Sequence, residues 1–166
     1  MTAVADGYAV IRAIDPSGGV VTPEGRVGRV LRGEGCSVQY LELPAGLYMY
    51  EHAHPWESVV LTVRGRWVIC AGGEREIIGP GSVTWFKPGL SKGFEVPFAE
   101  PALLLIFRPA ADLLDDDEYQ MYWEAVAAKM ELMRERGTAF RIDSLPEDHP
   151  ARIFASKIRP GSGSSL

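Results

Sequence analysis

Two histidines separated by a single residue are the clearest candidates for chemistry in this sequence. His52 and His54 lie in a segment that is rich in aromatic and β-branched residues. Side chains at positions i and i+2 of a β-strand point to the same face, so both imidazoles can reach one ion. Because neutral imidazole is a common metal ligand, this pair predicts a metal-binding or catalytic site.

The strand that carries the histidines also carries aromatic hydroxyl groups. The same alternation places Tyr48 and Tyr50 on the inner face with the two imidazoles. Trp85 and Phe94 are further candidates for the lining of such a site. An interior that is both aromatic and polar is typical of a small-molecule pocket, so Tyr50 is a candidate catalytic residue. Ordinary core packing is the alternative for both tyrosines.

Short β-rich segments separated by turn residues must position these side chains. Up to residue 109 the chain alternates segments such as Ser37 to Leu43 with breaks such as Gly72-Gly73. These breaks supply the φ angles that tight turns require. Many short strands at regular spacing predict a sandwich or barrel, here over residues 1–109.

After residue 109 the pattern becomes that of an amphipathic helix. Carboxylates from Asp115 to Glu118 favour a helix N-terminus, and apolar side chains follow at a spacing of three to four residues. The sequence predicts a helix from about Asp116 to Arg136 within the segment 110–137, packed on the barrel or on a dimer partner. Residues 138–166 are predicted to form an irregular segment with a flexible tail.

The spacing of these residues resembles the two motifs of the cupins. The first motif is Gly, five residues, His-x-His, three or four residues, Glu, six residues, Gly; the matching residues are Gly46, His52, His54 and Gly65. The second is Gly, five residues, Pro-x-Gly, two residues, His, three residues, Asn, and the segment from Gly81 to Phe94 is similar to it. The resemblance covers about residues 36–108. It implies an all-β double-stranded β-helix, a jelly-roll barrel with its ligand site inside, followed here by the C-terminal helix.

Two of the four metal-ligand positions implied by the resemblance are changed. Ser58 stands where the motif has Glu, and Lys92 stands where it has His. Serine is a poor ligand for a divalent ion, and lysine brings a positive charge that opposes a cation in the same site. The standard four-ligand site is therefore broken.

Glu57 offers a different third ligand. If a shift of one residue turned Glu57 inward in place of Ser58, then His52, His54 and Glu57 would form a two-histidine, one-carboxylate triad that suits Fe(II) or a similar ion. The motif spacing of Gly65 fits only the register with Ser58 inward. Both registers stay open from the sequence, and an oxygen ligand from Gln39 or Glu42 on the neighbouring strand is a further alternative.

Lys92 has a functional and a structural interpretation. In the first, a desolvated amine acts as a base, forms an imine or provides the counter-charge for an anionic substrate. In the second, the side chain lies at the barrel mouth with its ammonium group in water, which is the usual situation of lysine.

Two functions are consistent with this site. The first is a small-molecule enzyme that uses a divalent ion (Fe, Mn, Ni or Zn) held by His52 and His54 with an irregular third ligand, for oxygenase, isomerase, cyclase or lyase chemistry. Lys92, Glu57 and Tyr50 are its candidate catalytic residues. The second is a metal-free cupin that holds a small ligand, including an anionic one opposite Lys92, as a sensor or carrier.

The composition limits the partners. The chain has 166 residues, with 17 Lys and Arg against 22 Asp and Glu, which gives a net charge of −5. This balance lacks the basic surface that nucleic-acid binding requires. Two cysteines cannot form a disulfide framework, and the sequence contains neither a signal peptide nor a membrane span. We therefore expect a cytoplasmic protein without nucleic-acid or membrane partners, and a homodimer that covers its sheet edges.

Overall fold

The computed structural model describes residues 2–5, 7–109 and 114–158. The strands are β1 (Thr2–Ala5), β2 (Tyr8–Val10), β3 (Val20–Thr22), β4 (Gly25–Arg32), β5 (Cys36–Leu43), β6 (Tyr48–His52), β7 (Ser58–Arg64), β8 (Trp67–Ala71), β9 (Glu74–Ile78), β10 (Val83–Phe86), β11 (Lys92–Glu95) and β12 (Ala102–Pro109). The helices are α1 (Asp116–Glu135), a 3-10 helix (Ile142–Ser144) and α2 (Pro150–Ile158).

Two antiparallel sheets enclose the core. One has six strands in the order β10-β7-β12-β5-β4-β3, and the other has four in the order β6-β11-β8-β9. Side chains from both sheets fill the space between them, and Trp67, Leu43 and Leu104 are almost completely buried there. Burial of this apolar surface is the main favourable contribution to folding. The predicted all-β barrel with a C-terminal helix is confirmed.

The register of β7 turns Ser58 toward the interior. Ser58 is paired with Phe86 of β10, which is buried, and Val60 and Thr62 follow on the same face. Val59, on the opposite face, is exposed. Of the two registers that the sequence left open, the protein therefore adopts the one in which Glu57 points outward.

A β-bulge interrupts the alternation in β6. His52 is paired with Lys92 and Met49 with Phe94, so that two residues of β6, Tyr50 and Glu51, lie opposite the single residue Gly93. A Cβ atom at Gly93 would lie only 2.5 Å from the carbonyl oxygen of Met49, which explains why this position has no side chain. The extra residue changes which side chains face inward on either side of the bulge.

Helix α1 begins and ends close to the predicted positions, at Asp116 and Glu135. Asp115 caps its N-terminus in a capping box with Glu118: each side chain accepts a hydrogen bond from the backbone N–H of the other residue. Trp123 and Met130 of α1 belong to the main hydrophobic core. The helix therefore packs on its own barrel, one of the two arrangements expected for it.

The chain after α1 is more ordered than its sequence predicts. Residues 140–142 run beside the beginning of β6, where Phe140 accepts a hydrogen bond from the backbone N–H of Tyr48 (3.0 Å) and Arg141 forms a β-bridge with Leu47. Helix α2 follows, with Pro150 at its first position and Nδ1 of His149 accepting from the N–H of Ala151 (3.2 Å). The predicted flexible tail, from residue 159 onward, lies outside the described residues. None of the helices in the described ranges is long and apolar enough to cross a bilayer.

Candidate functional site

The two histidine rings converge inside the barrel. Nε2 of His52 lies 3.2 Å from Nε2 of His54, and the ring planes are inclined by 81°. His52 ends β6, and the backbone of His54 is held by a hydrogen bond from the N–H of Gly89 to its carbonyl oxygen (2.8 Å). The predicted convergence of the imidazoles on one point is thus present in the structure.

Local hydrogen bonds fix the tautomer of His52. Its Nδ1 lies 3.0 Å from the carbonyl oxygen of Tyr50, and because a carbonyl can only accept, Nδ1 carries the proton. In the neutral form of this ring the lone pair is on Nε2, which points at His54. This arrangement suits either a hydrogen bond donated by Nε2–H of His54 or joint coordination of an ion.

The surroundings of His54 favour its neutral form. Burial lowers its pKa to about 4, and the positive charges of Lys92, His52 and Arg108 act in the same direction. Both the low polarity and the neighbouring cations disfavour a further positive charge on the ring. His54 is therefore neutral near pH 7.

Lys92 is inside the barrel, not at its surface. Its Cα atom is paired with that of His52 across the sheet, and the residue is 3% exposed. The ammonium nitrogen lies 4.7 Å from the centre of the Phe86 ring and 5.9 Å from that of Phe94. Burial lowers the pKa of Lys92, and Arg108 lowers it further. The expectation of an ammonium group in bulk water at the barrel mouth is therefore wrong.

Glu24, which the sequence analysis does not identify, is a further carboxyl group whose charge interacts with this site. It lies in the turn between β3 and β4, which no sequence motif marks as functional. Burial raises its pKa, whereas the charges of His52, Arg108 and Lys92 act in the opposite direction. Its carboxyl group therefore interacts electrostatically with His52, Arg108 and Lys92.

Helix α1 covers the interior and adds a hydroxyl group to it. The Tyr119 hydroxyl donates to Oε1 of the buried Gln39 (3.3 Å), and burial raises the pKa of Tyr119. The guanidinium of Arg29 lies 4.2 Å from the centre of the Tyr119 ring and forms an ion pair with Asp116 (2.8 Å). At the other end of α1, the sulfur of Met133 lies 3.9 Å from the hydroxyl of Tyr50.

Tyr50 remains next to the histidines, as predicted from the sequence. Its ring centre lies 5.8 Å from that of His52. Tyr48 does not share this face, because the bulge in β6 turns it outward. It lines a cavity of about 240 Å³ on the outer side of the four-stranded sheet, where its ring meets that of His149 edge to face. The expectation that both tyrosines line the interior is therefore wrong for Tyr48.

Glu57 and Trp85 lie on the outer side of the barrel. Glu57 is exposed and accepts a hydrogen bond from the indole N–H of Trp85 (3.0 Å), which is itself 59% exposed. Glu42, one of the alternative ligands, is likewise engaged away from the histidines, in an ion pair with Arg64 (2.6 Å). The structure thus does not bring Glu57 to the histidines, because pairing of β7 with β10 and β12 fixes the opposite register.

The donor set fits a divalent metal ion only in part. With a metal–nitrogen bond of about 2.1 Å, two nitrogens 3.2 Å apart subtend an angle of about 100°, which lies between octahedral and tetrahedral values. Within the described residues, however, no group of three His, Cys, Asp or Glu side chains is placed to hold an ion. The inward-facing Ser58 and Lys92 take the remaining positions of the motif. The residues present therefore do not form a standard metal centre.

Comparisons with known proteins agree with this architecture. Residues 42–120, just under half of the chain, match the model of the AraC-like ligand binding domain. The fold is similar to that of the polyketide cyclase RemF from Streptomyces resistomycificus (15% identity, 60% of this chain and 80% of that one, TM-score 0.52). It is also similar to a Cupin 2 conserved barrel domain protein from Salinispora arenicola CNS-205 (19% identity, 63% and 92%, TM-score 0.53). No curated protein sequence shows a significant match. These similarities show that the chain has the fold of a cupin barrel.

Proposed function

We propose that this cupin binds a small organic carboxylate inside its barrel. The observation that supports the proposal is the buried ammonium group of Lys92, which lies beside His52 at a position where the cupin motif has a metal ligand. The ion pairs among the described residues do not include Lys92. A buried charge is costly unless opposite charges compensate it, and an anionic ligand would add to the electrostatic compensation that Glu24 provides for Lys92.

Arg108 adds a second positive charge to the same region. It lies in β12 on the inward-facing side and lowers the pKa of both Lys92 and His54. Two unit charges about 4 Å apart attract each other by about 4 kcal/mol at an effective dielectric constant of about 20. A carboxylate beside the ammonium group of Lys92 therefore recovers part of the cost of leaving water. The neutral imidazoles can then exchange hydrogen bonds with the rest of the ligand.

Calorimetric titration with acetate, propionate and benzoate tests this proposal. The wild type should bind at least one of them, and Lys92→Met should weaken that binding at least about tenfold. Methionine keeps much of the side-chain volume and removes the charge. Lys87→Met is the matched control, because Lys87 is exposed and its loss changes the net charge equally. Equal affinities in the wild type and the Lys92 variant would refute the proposal.

A metal-dependent enzyme is the second candidate, and the 3.2 Å separation of the two Nε2 atoms favours it. In this case His52 and His54 would hold Fe, Mn, Ni or Zn, and the ion would supply Lewis-acid or redox chemistry. The test is the metal content after incubation with each ion, compared between the wild type and His52→Ala. A stoichiometric ion that disappears in the variant would favour this candidate; metal-independent carboxylate binding would favour the first.

A further inference from the structure

We infer that two copies of this chain associate face to face through the outer surface of the six-stranded sheet. The surface, called the apolar face below, is the side of β7, β10 and β12 that points away from the barrel interior. Its exposed members are Val59, Val63, Val83, Trp85 and Phe107. The partner that fits this surface is therefore a second copy of the chain, for the reasons that follow.

Strand β7 is apolar on both of its faces. An antiparallel sheet with one face in water usually alternates apolar and polar side chains. In β7 the inward-facing Val60 and Thr62 are buried, and the outward-facing positions are again apolar, namely Val59, Leu61 and Val63. A strand with this pattern is typical of a sheet that is covered on both sides.

Strand pairing joins the outward-facing side chains into one surface. Trp85, Val59 and Phe107 are paired in succession across β10, β7 and β12. Val83 and Leu61 are paired in the next row. Paired side chains on one face of an antiparallel sheet lie about 5 Å apart, so these residues form a contiguous patch. None of them carries a charge.

The described part of the chain leaves the apolar face open. Helix α1 packs against β3, which is at the opposite edge of the same sheet. Val83 is 65% exposed, and Trp85 is exposed to a similar extent. The remaining exposed aliphatic side chains of the sheets are separate from this patch, with Val21 on β3 and Ile77 on β9.

The exposed area is large enough for a specific interface. The exposed fractions of the five side chains correspond to about 500 Å² of apolar surface. Contiguous patches of this size on a soluble protein mark interaction sites. Two such patches together bury about 1,000 Å², which is the lower limit for a specific interface, and the surrounding rim adds to that area.

A second copy of the chain matches the apolar face in chemistry and in shape. A partner with charged groups would lose their hydration against this surface without gaining an ion pair, whereas a second copy presents the same uncharged patch. A two-fold axis near Leu61, in the middle of β7, brings the Val59 end of that strand over the Val63 end of the second copy. Two sheets that pack in this way lie about 10 Å apart, and side chains as large as Trp85 fill that space.

Sedimentation equilibrium over a range of protein concentrations tests the inference. The wild type should have the mass of a dimer. Trp85→Glu and Val83→Glu each place a charge within the interface and should weaken association at least about tenfold. Val21→Glu is the matched control, because Val21 is 61% exposed at the opposite edge of the sheet and its substitution adds the same charge. This variant should remain dimeric.

Each outcome supports or overturns the inference. Dissociation of the two variants in the apolar face, with the control still dimeric, supports it. A wild type that is monomeric at the highest concentration, or that forms an assembly other than a dimer, overturns it. A dimer that persists in both variants, or that is lost equally in Val21→Glu, also overturns it. Circular dichroism establishes that each variant is folded; if Trp85→Glu is not, Val83→Glu decides, because its exposed side chain has room in the monomer.

Discussion

The buried position of His54 predicts a specific dependence of stability on pH. Its pKa is about 4 in the folded protein, against 6.5 for an unperturbed histidine. Below pH 6.5 the unfolded chain takes up a proton on this ring that the folded chain does not take up until the pH approaches 4. Protonation of the unfolded state therefore lowers the free energy of unfolding as the pH falls between these two values.

The size of the effect follows from the two pKa values. Between about pH 7.5 and about pH 5, linkage predicts that His54 alone lowers the free energy of unfolding by about 2 kcal/mol. The full effect of the shift, reached well below pH 4, is about 3 kcal/mol. Other groups titrate over the same range, so only the difference between the wild type and a variant without this ring isolates the contribution.

Urea unfolding of the wild type and of His54→Gln at both pH values provides the measurement. A chelator should be present throughout, so that a bound ion does not compete with protons for the rings. On going to the lower pH, the free energy of unfolding should decrease by about 2 kcal/mol more in the wild type than in the variant. An equal decrease in the free energy of unfolding of the two proteins would show that His54 is not buried among cations.

Four further predictions concern the elements that build the site. Asp115→Ala removes the N-terminal cap of α1 and should lower the free energy of unfolding by about 1 kcal/mol in urea; an unchanged midpoint would contradict the capping box. Gly93→Ala brings a methyl group against the carbonyl of Met49 and should lower the free energy of unfolding by at least about 2 kcal/mol, whereas an unchanged free energy of unfolding would contradict the bulge. Ser58→Glu combined with Lys92→His restores the four-ligand motif and should give stoichiometric zinc binding by elemental analysis; no gain would mean that these positions do not face the histidines. The expected homodimer stays a prediction that sedimentation can check, and a monomeric mass at high concentration would contradict it.

Much of the fold is encoded in short stretches of sequence. Helix α1 was predicted from Asp116 to Arg136 and extends from Asp116 to Glu135, because the capping residues and the apolar spacing that define it are local. The barrel followed from β-rich segments and turn glycines, and the spacing of Gly46, His52, His54 and Gly65 agreed with the cupin motif. Helix α2 was missed because it is short and its cap, His149, is not one of the preferred capping residues.

The order of residues is sufficient to predict which side chains share one face of a strand, because strand alternation depends on nothing else. His52, His54 and Tyr50 follow from that rule. Which of Glu57 and Ser58 faces inward does not follow from the local sequence, since the register of β7 is fixed by pairing with β10 and β12, which are distant in the chain. The bulge that turns Tyr48 outward and the burial of Lys92 likewise depend on contacts between distant segments.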